Sequence, residues 1–180
     1  MSGLKLLGIS GSLRKGSFNT LLVKESARLF EPETFMMADI RMPLYDGDLE
    51  DAEGMPEAAV KLRADIEAAD AIVISTPEYN KNLPGGLKNA LDWISRARPM
   101  PMNDKPVAIL SAAAGVMGGA RAQYSLRHCL TAFAPRVLQG PEVLIGGAAK
   151  AFNEAGQLEN DRSVVLLKSL MDALRREVSR

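Results

Sequence analysis

The sequence predicts an α/β protein built on a doubly wound parallel sheet of five strands in the order 2-1-3-4-5, with helices on both faces. Three observations predict it. Short apolar runs alternate with stretches of helical periodicity along the whole chain, the pattern of repeated strand–helix crossovers. One run, Ala71-Ile72-Val73-Ile74-Ser75, is continuously apolar, as a strand covered on both faces must be. The segments after the first, third and fourth runs (Ser10–Asn19, Thr76–Asn82 and Ser111–Gly119) are rich in Gly, Ser, Pro or Asn. In such a sheet all three meet in one crevice at the carboxyl ends of the strands, where ligands bind.

The elements follow in order. Leu4 to Ile9 reads as the first strand, and Asn19 to Phe30 as a helix with Leu21, Leu22, Ala27 and Leu29 at its apolar positions. Thr34 to Ala38 is a weaker second strand. Arg41 to Pro56, with Pro43, Tyr45-Asp46-Gly47-Asp48 and Gly54, has loop chemistry. Its acidic run lacks the ligand spacing of a calcium loop. Glu57 to Ala69 is a helix expected to bury Val60, Leu62 and Ile66. Ala71 to Ser75 is the third strand, and Pro84 opens the next helix, through Ile94, proline being tolerated in a first turn. Pro106 to Ala113 is the fourth strand and Gly118 to Phe133 the fourth helix. Arg136 to Ile145 is a fifth strand interrupted by Gly140-Pro141, and Val164 to Val178 is the last helix. No interior linker or repeat divides the chain, so residues 1–180 are expected to form a single domain.

Composition narrows the function. Lys+Arg and Asp+Glu are both 22, a balance that argues against a nucleic-acid binder. A single cysteine, Cys129, rules out an internal disulfide, and with one histidine, His128, the usual metal sets and most Ser-His or Cys-His dyads are missing. Both lie in a largely apolar helix and read as structural, with Cys129 expected to be buried. Met1-Ser2-Gly3 lacks the charged start of a signal peptide, and no apolar run reaches membrane-spanning length. A cytoplasmic protein that does not engage membranes is the expectation.

The first loop is the informative one. Glycines that admit close backbone approach, three serines, Arg14, Lys15 and a helix N-terminus together suit a phosphate. Gly11 and Gly16 have Walker A spacing, but Ser17 stands where the lysine must be, and the dinucleotide pattern G-x-G-x-x-G is absent. Asp39, at about the distance of a ribose-binding acid, therefore reads as a strand-end residue. A terminal monophosphate is the better match.

Gly11-Ser12-Leu13-Arg14-Lys15-Gly16-Ser17-Phe18-Asn19, Pro77-Glu78-Tyr79-Asn80 and Leu83-Pro84-Gly85-Gly86-Leu87-Lys88-Asn89-Ala90-Leu91-Asp92-Trp93 resemble the NADPH-dependent FMN reductase family, and within it the bacterial chromate and quinone reductases. Gly118-Gly119-Ala120-Arg121 and Tyr124-x-x-Arg127 extend the similarity, which runs from about Leu4 to Val143. The resemblance implies a flavodoxin-like fold, noncovalent FMN, reduction by NADPH or NADH, and homodimers or homotetramers. By it, Ser12, Arg14, Ser17, Phe18 and Asn19 would hold the FMN phosphate. Pro77, Glu78, Tyr79 and Asn80 would line the flavin ring, and Ser111 and Ala112 would flank it. Family members often carry a small hydroxyl residue where Ala112 stands, so that contact would fall to the backbone.

Hydride transfer to a flavin needs no protein nucleophile, which accounts for the missing catalytic side chains. The expected reaction is ping-pong, two-electron reduction of small-molecule acceptors: quinones, flavins, azo compounds or metal anions such as chromate. Lys81 is a cation placed to attract anionic acceptors. Two other readings are a flavodoxin-type electron carrier, against which zero net charge argues, and a flavin-binding interaction protein without its own substrate.

Overall fold

A computed structural model describes residues 3–180. The reading of the chain start at Met1-Ser2 lies outside the described residues. Six strands, β1 (Lys5–Ser10), β2 (Thr34–Met37), β3 (Ala71–Ser75), β4 (Pro106–Ala112), β5 (Arg136–Val137) and β6 (Val143–Ile145), form one parallel sheet in the order β2-β1-β3-β4-β5, with β6 also on β4. The helices are α1 (Phe18–Phe30), α2 (Gly47–Glu53), α3 (Glu57–Ala68), α4 (Gly85–Ile94), α5 (Ala120–Leu130) and α6 (Asp161–Val178).

Strand alternation divides the core. Leu6, Val73, Ala108 and Leu110 face α1 and α6, where Leu22, Phe30, Leu167 and Leu174 are buried. Leu7, Ile9, Ile72, Ile74 and Ile109 face the other way, onto Leu62, Ile66, Leu87, Ile94 and Leu126 of α3, α4 and α5. With both faces covered, every residue of β3 and β4 is buried.

The expected fifth strand is two strands. β5 pairs with Pro106 and Val107 at the start of β4, and β6 with Leu110, Ser111 and Ala112 at its end. Gly140-Pro141 lies between them, where a proline cannot donate to the ladder. The segment expected to be loop contains α2, whose N-terminus is capped by the Asp46 carboxylate accepting from the Asp48 amide at 2.9 Å. None of its residues is buried, so there was no apolar stripe to read. In α3 the buried residues are Ala59, Leu62 and Ile66, while Val60 is exposed. Pro84 stands at the N-cap of α4 rather than inside its first turn, and Pro56 at the N-cap of α3, directly before the expected start at Glu57. The last turn expected of α5, Thr131–Phe133, is 3-10, and α6 starts earlier than expected because Asn160 caps it by accepting from the Ser163 amide at 3.1 Å. Cys129 is half-buried rather than buried, and His128 is exposed.

Residues 39–46, leading to α2, are strapped onto α4. Trp93 Nε1 and Asn89 Nδ2 both donate to the Pro43 carbonyl, at 2.8 and 2.9 Å, and Asn89 Oδ1 accepts from the Tyr45 amide at 2.8 Å. Tyr45 packs edge-on against Trp93 and donates its hydroxyl to Glu50, which also holds Arg96.

Candidate functional site

The ends of β1, β3 and β4 open into one crevice, and one side chain ties the three together. Asn19, in the first turn of α1, is 3 % exposed. Its Oδ1 accepts from Ser75 Oγ at 2.8 Å and from the Ala112 amide at 3.0 Å, and its Nδ2 donates to the Ala112 carbonyl at 2.9 Å. The carboxamide thus clamps the end of α1 to β3 and β4.

Above that clamp the β1–α1 loop exposes donors. Ser17 caps α1, its Oγ accepting from the Asn19 and Thr20 amides at 3.2 and 3.4 Å, which leaves its own hydroxyl hydrogen to give away. Among the described residues, the amides of Lys15, Gly16 and Phe18 meet no carbonyl within hydrogen-bond distance. Arg14 has no carboxylate partner there, and a Cβ on Gly16 would touch nothing within 4 Å. Gly11 is where the loop presses on its neighbour. Its amide donates to the Ser75 carbonyl at 2.7 Å, and a Cβ would come within 3.0 Å of Leu87.

The β3–α4 loop turns back on itself. Tyr79 and Asn82 exchange backbone bonds of 2.9 and 3.0 Å around Asn80 and Lys81, both left-handed at φ 50° and 65°. The amides of Glu78 and Asn80, like those of the first loop, meet no carbonyl among the described residues. Glu78 lines the crevice, yet its carboxylate is turned onto the next element. It accepts from the Arg121 amide at 3.2 Å and approaches the Arg121 guanidinium at 3.4 Å. It supplies from outside the cap that Gly119, at the N-terminus of α5, cannot.

Ser111 does not reach the crevice. It is fully buried, donates to the Gly118 carbonyl at 2.6 Å and accepts from Gln123 at 2.9 Å. It shapes the Gly118-Gly119 turn from beneath. Glycine is required there: at Gly118, φ 57°, a Cβ would fall 2.8 Å from the Leu144 carbonyl carbon. Ala112, Ala113 and Ala114 form the wall that Ser111 was expected to share, and both backbone polar groups of Ala112 are taken by Asn19. The resulting hollow, about 220 Å³, is lined by Ser12, Arg14, Gly16–Asn19, Pro77–Tyr79 and Ala112–Ala114. Asn80, by contrast, lies outside its lining, at the exposed tip of the turn.

Arg96 and Arg98 end α4 as expected of cations at a helix C-terminus, Arg98 donating to the Ser95 and Ala97 carbonyls at 2.7 and 2.8 Å. Arg121 pairs with Glu78 at the surface and Arg127 donates to the Leu138 carbonyl at 2.8 Å, while Tyr124 is exposed. Among the described residues no group of His, Cys, Asp and Glu could hold a metal.

A sequence model described as NADPH-dependent FMN reductase matches residues 4–150. The chain belongs to that family. Within the family, it is 45% identical over 179 residues to an NAD(P)H-dependent FMN reductase of Pseudomonas aeruginosa, covering 98% of this chain and 96% of the relative. It is 43% identical over 148 residues to a quinone reductase of Escherichia coli strain K12, covering 79% and 78%. Among solved structures, a flavoenzyme NAD(P)H:(acceptor) oxidoreductase from Paracoccus denitrificans superposes with a TM-score of 0.87 at 32% identity, covering 98% and 97%. A flavodoxin from the domain Archaea superposes at 0.65 and 10% identity over 98% and 100%, a likeness of fold. The FMN reductase family carries out flavin-dependent oxidation of NAD(P)H, and this chain is an oxidoreductase of that kind.

The hollow fits FMN on its own chemistry. Loop amides, a serine hydroxyl and an unpaired arginine at a helix N-terminus suit a phosphate monoester. Beside them the Ala112–Ala114 wall and Pro77 and Tyr79 offer apolar surface, with the Glu78 amide free of a carbonyl partner.

Proposed function

We propose that the chain holds FMN with its phosphate at the N-terminus of α1 and its ring between the Pro77–Asn80 loop and the Ala112–Ala114 wall, and passes two electrons from NAD(P)H to quinone-class acceptors. The observation that carries this reading is the row of amides without carbonyl partners at Lys15, Gly16 and Phe18, beside the unpaired Arg14. FMN held there would supply the redox chemistry, two-electron transfer from NAD(P)H to the acceptor.

The chain's residues bind and orient. Arg14 and the Ser12 and Ser17 hydroxyls neutralise and hold the phosphate, and Phe18 closes the loop by stacking on Phe152 with centroids 6.1 Å apart. The Glu78 amide, free of a carbonyl partner in the lining of the hollow, would donate to the electron-rich ring edge. Tyr79, half exposed, walls the side on which donor and acceptor enter. Asn19 and Ser111 act from behind, as positioning residues, and Glu78 joins them by fixing its loop to α5.

Flavins, azo compounds and anions such as chromate are further candidate acceptors, since nothing in the hollow selects by acid–base chemistry. Exposed Val116, Met117 and Tyr124, on the β4–α5 loop and α5, support assembly into a homodimer or homotetramer. No helix among the described residues is long and apolar enough to cross a membrane, which suits the cytoplasmic location proposed for the enzyme.

The test begins with the purified protein, which should be yellow, oxidise NADPH or NADH with a quinone, and give parallel double-reciprocal lines. Arg14→Ala combined with Ser17→Ala should release FMN and leave the circular dichroism of the fold unchanged. A double variant that keeps a full flavin complement would overturn the assignment of the phosphate site.

A further inference from the structure

The Leu83–Trp93 stretch has no part in the flavin slot, since none of its residues lines it. Its first residues instead form the floor of a separate hollow of about 270 Å³, where Leu13, Arg14 and Tyr79 stand around Pro84, Gly85 and Gly86. The slot and this hollow meet at Arg14 and Tyr79, which line both. With Arg14 given to the phosphate, the side chains left to the second hollow are Leu13, Pro84 and the Tyr79 ring. Leu13 and Tyr79 are 44 % and 48 % exposed, apolar surface left open to solvent in a concave place.

The two glycines are what the fold does not explain. Both lie at the start of α4, and glycine is the poorest helix former after proline. Neither has a positive φ. A Cβ on Gly85 would meet nothing within 4 Å, and one on Gly86 would make only ordinary contact with Leu13, at 3.5 Å. Unlike Gly118, then, neither position needs glycine for its backbone or its packing. Their effect is to keep the floor of the hollow clear, so that a ligand can approach the backbone there.

We propose that this hollow seats the alkyl substituent of a quinone acceptor whose ring stands at the flavin slot, so that Leu13, Tyr79 and the Gly85-Gly86 floor select alkyl-bearing quinones over bare ones. The proposal rests on the flavin and quinone reading above. Tyr79 makes the connection, because it lines both the slot and the hollow. The hollow holds no carboxylate and no cation besides Arg14, so a polar substituent would lose water there without gaining a partner. An alkyl chain gains from the same walls. Each methylene withdrawn from water is worth about fourfold in binding, so two or three seated methylenes give about tenfold or more.

The experiment uses the FMN-loaded protein and two quinones with the same tetrasubstituted ring, duroquinone and its analogue carrying n-hexyl in place of one methyl. Affinity for the oxidised protein is read by calorimetry with no nicotinamide present, and kcat/KM from NADPH oxidation. The hexyl compound should bind about tenfold more tightly, or better, and show the same advantage in kcat/KM. Gly86→Leu, which fills the hollow, and Leu13→Ser, which strips its wall, should each cut that advantage to about twofold or less, with duroquinone turnover and flavin content unmoved. The bond that Arg41 makes to this loop uses the Leu13 carbonyl, so Leu13→Ser keeps it and carries the test if Gly86→Leu does not fold. Equal affinity of the wild type for the two quinones, or variants that weaken both alike, would overturn the proposal. So would variants that keep the hexyl advantage but sediment as a smaller species than the wild type, a result that assigns the hollow to a second copy of the chain. A wild-type protein that binds no FMN would be a different failure, overturning the flavin reading on which the proposal stands.

Discussion

Asn19 offers the sharpest test of how the crevice is built. Asn19→Ala removes three hydrogen bonds of 2.8–3.0 Å at once and leaves the Ser75 hydroxyl and both backbone polar groups of Ala112 without partners in the interior. The hydroxyl can rotate toward another acceptor, but the two backbone groups cannot. At about 1–3 kcal/mol for each buried group left unpaired, the loss should be about 3–5 kcal/mol. Domains of this size are stable by about 5–15 kcal/mol, so the change is large enough to read in urea unfolding of the flavin-free protein. Ser75→Ala removes one bond and should cost about 1 kcal/mol, which keeps the test alive if the first variant does not fold. Flavin affinity, read by fluorescence quenching, should fall in step with stability. A loss of flavin binding with stability changed by less than about 1 kcal/mol would refute the clamp and make Asn19 a direct phosphate ligand.

Lys81 is a non-glycine residue held at φ 65°, so Lys81→Gly should raise stability by about 1 kcal/mol in thermal unfolding. The same variant should lower turnover of anionic acceptors more than of neutral quinones, and an equal effect would remove Lys81 from acceptor selection. The Tyr45 phenol is held above its ordinary pKa of 10.0, chiefly because the neutral hydroxyl donates to Glu50 and secondarily by burial. A raised phenol pKa contributes stability below the ordinary value, lost as pH rises through the raised one. The stability gap between wild type and Tyr45→Phe should therefore stay constant through neutral pH and close only in strongly alkaline buffer, as unfolding titrations at stepped pH would show.

Much of the architecture was legible because its causes are local. The run Ala71–Ser75, apolar through Ile74, could only be a strand covered twice, and the helix read from Asn19 begins one residue earlier, at Phe18. The errors fall where local signals are weak. α2 buries nothing and so had no stripe, and Val60 is apolar yet faces outward while Ala59 turns in. The break at Gly140-Pro141 was visible, but that its two flanks would pair with opposite ends of β4 was not.

The site divides the same way. By itself the sequence determined which segments form the crevice and that the first of them suits a phosphate, because glycine spacing, hydroxyls and helix starts are properties of neighbouring residues. Only the tertiary structure decided which polar side chains remain available. Asn19, Ser111 and Glu78 look alike in the sequence as candidate ligands, yet each is consumed by a partner on another segment: Ala112, Gly118 or Arg121. Arg41, which no motif marks, is carried to the phosphate loop by its bond to the Leu13 carbonyl. Burial compels polar groups to find partners, and which partner lies within reach is set by how strands and helices stack, not by their order in the chain.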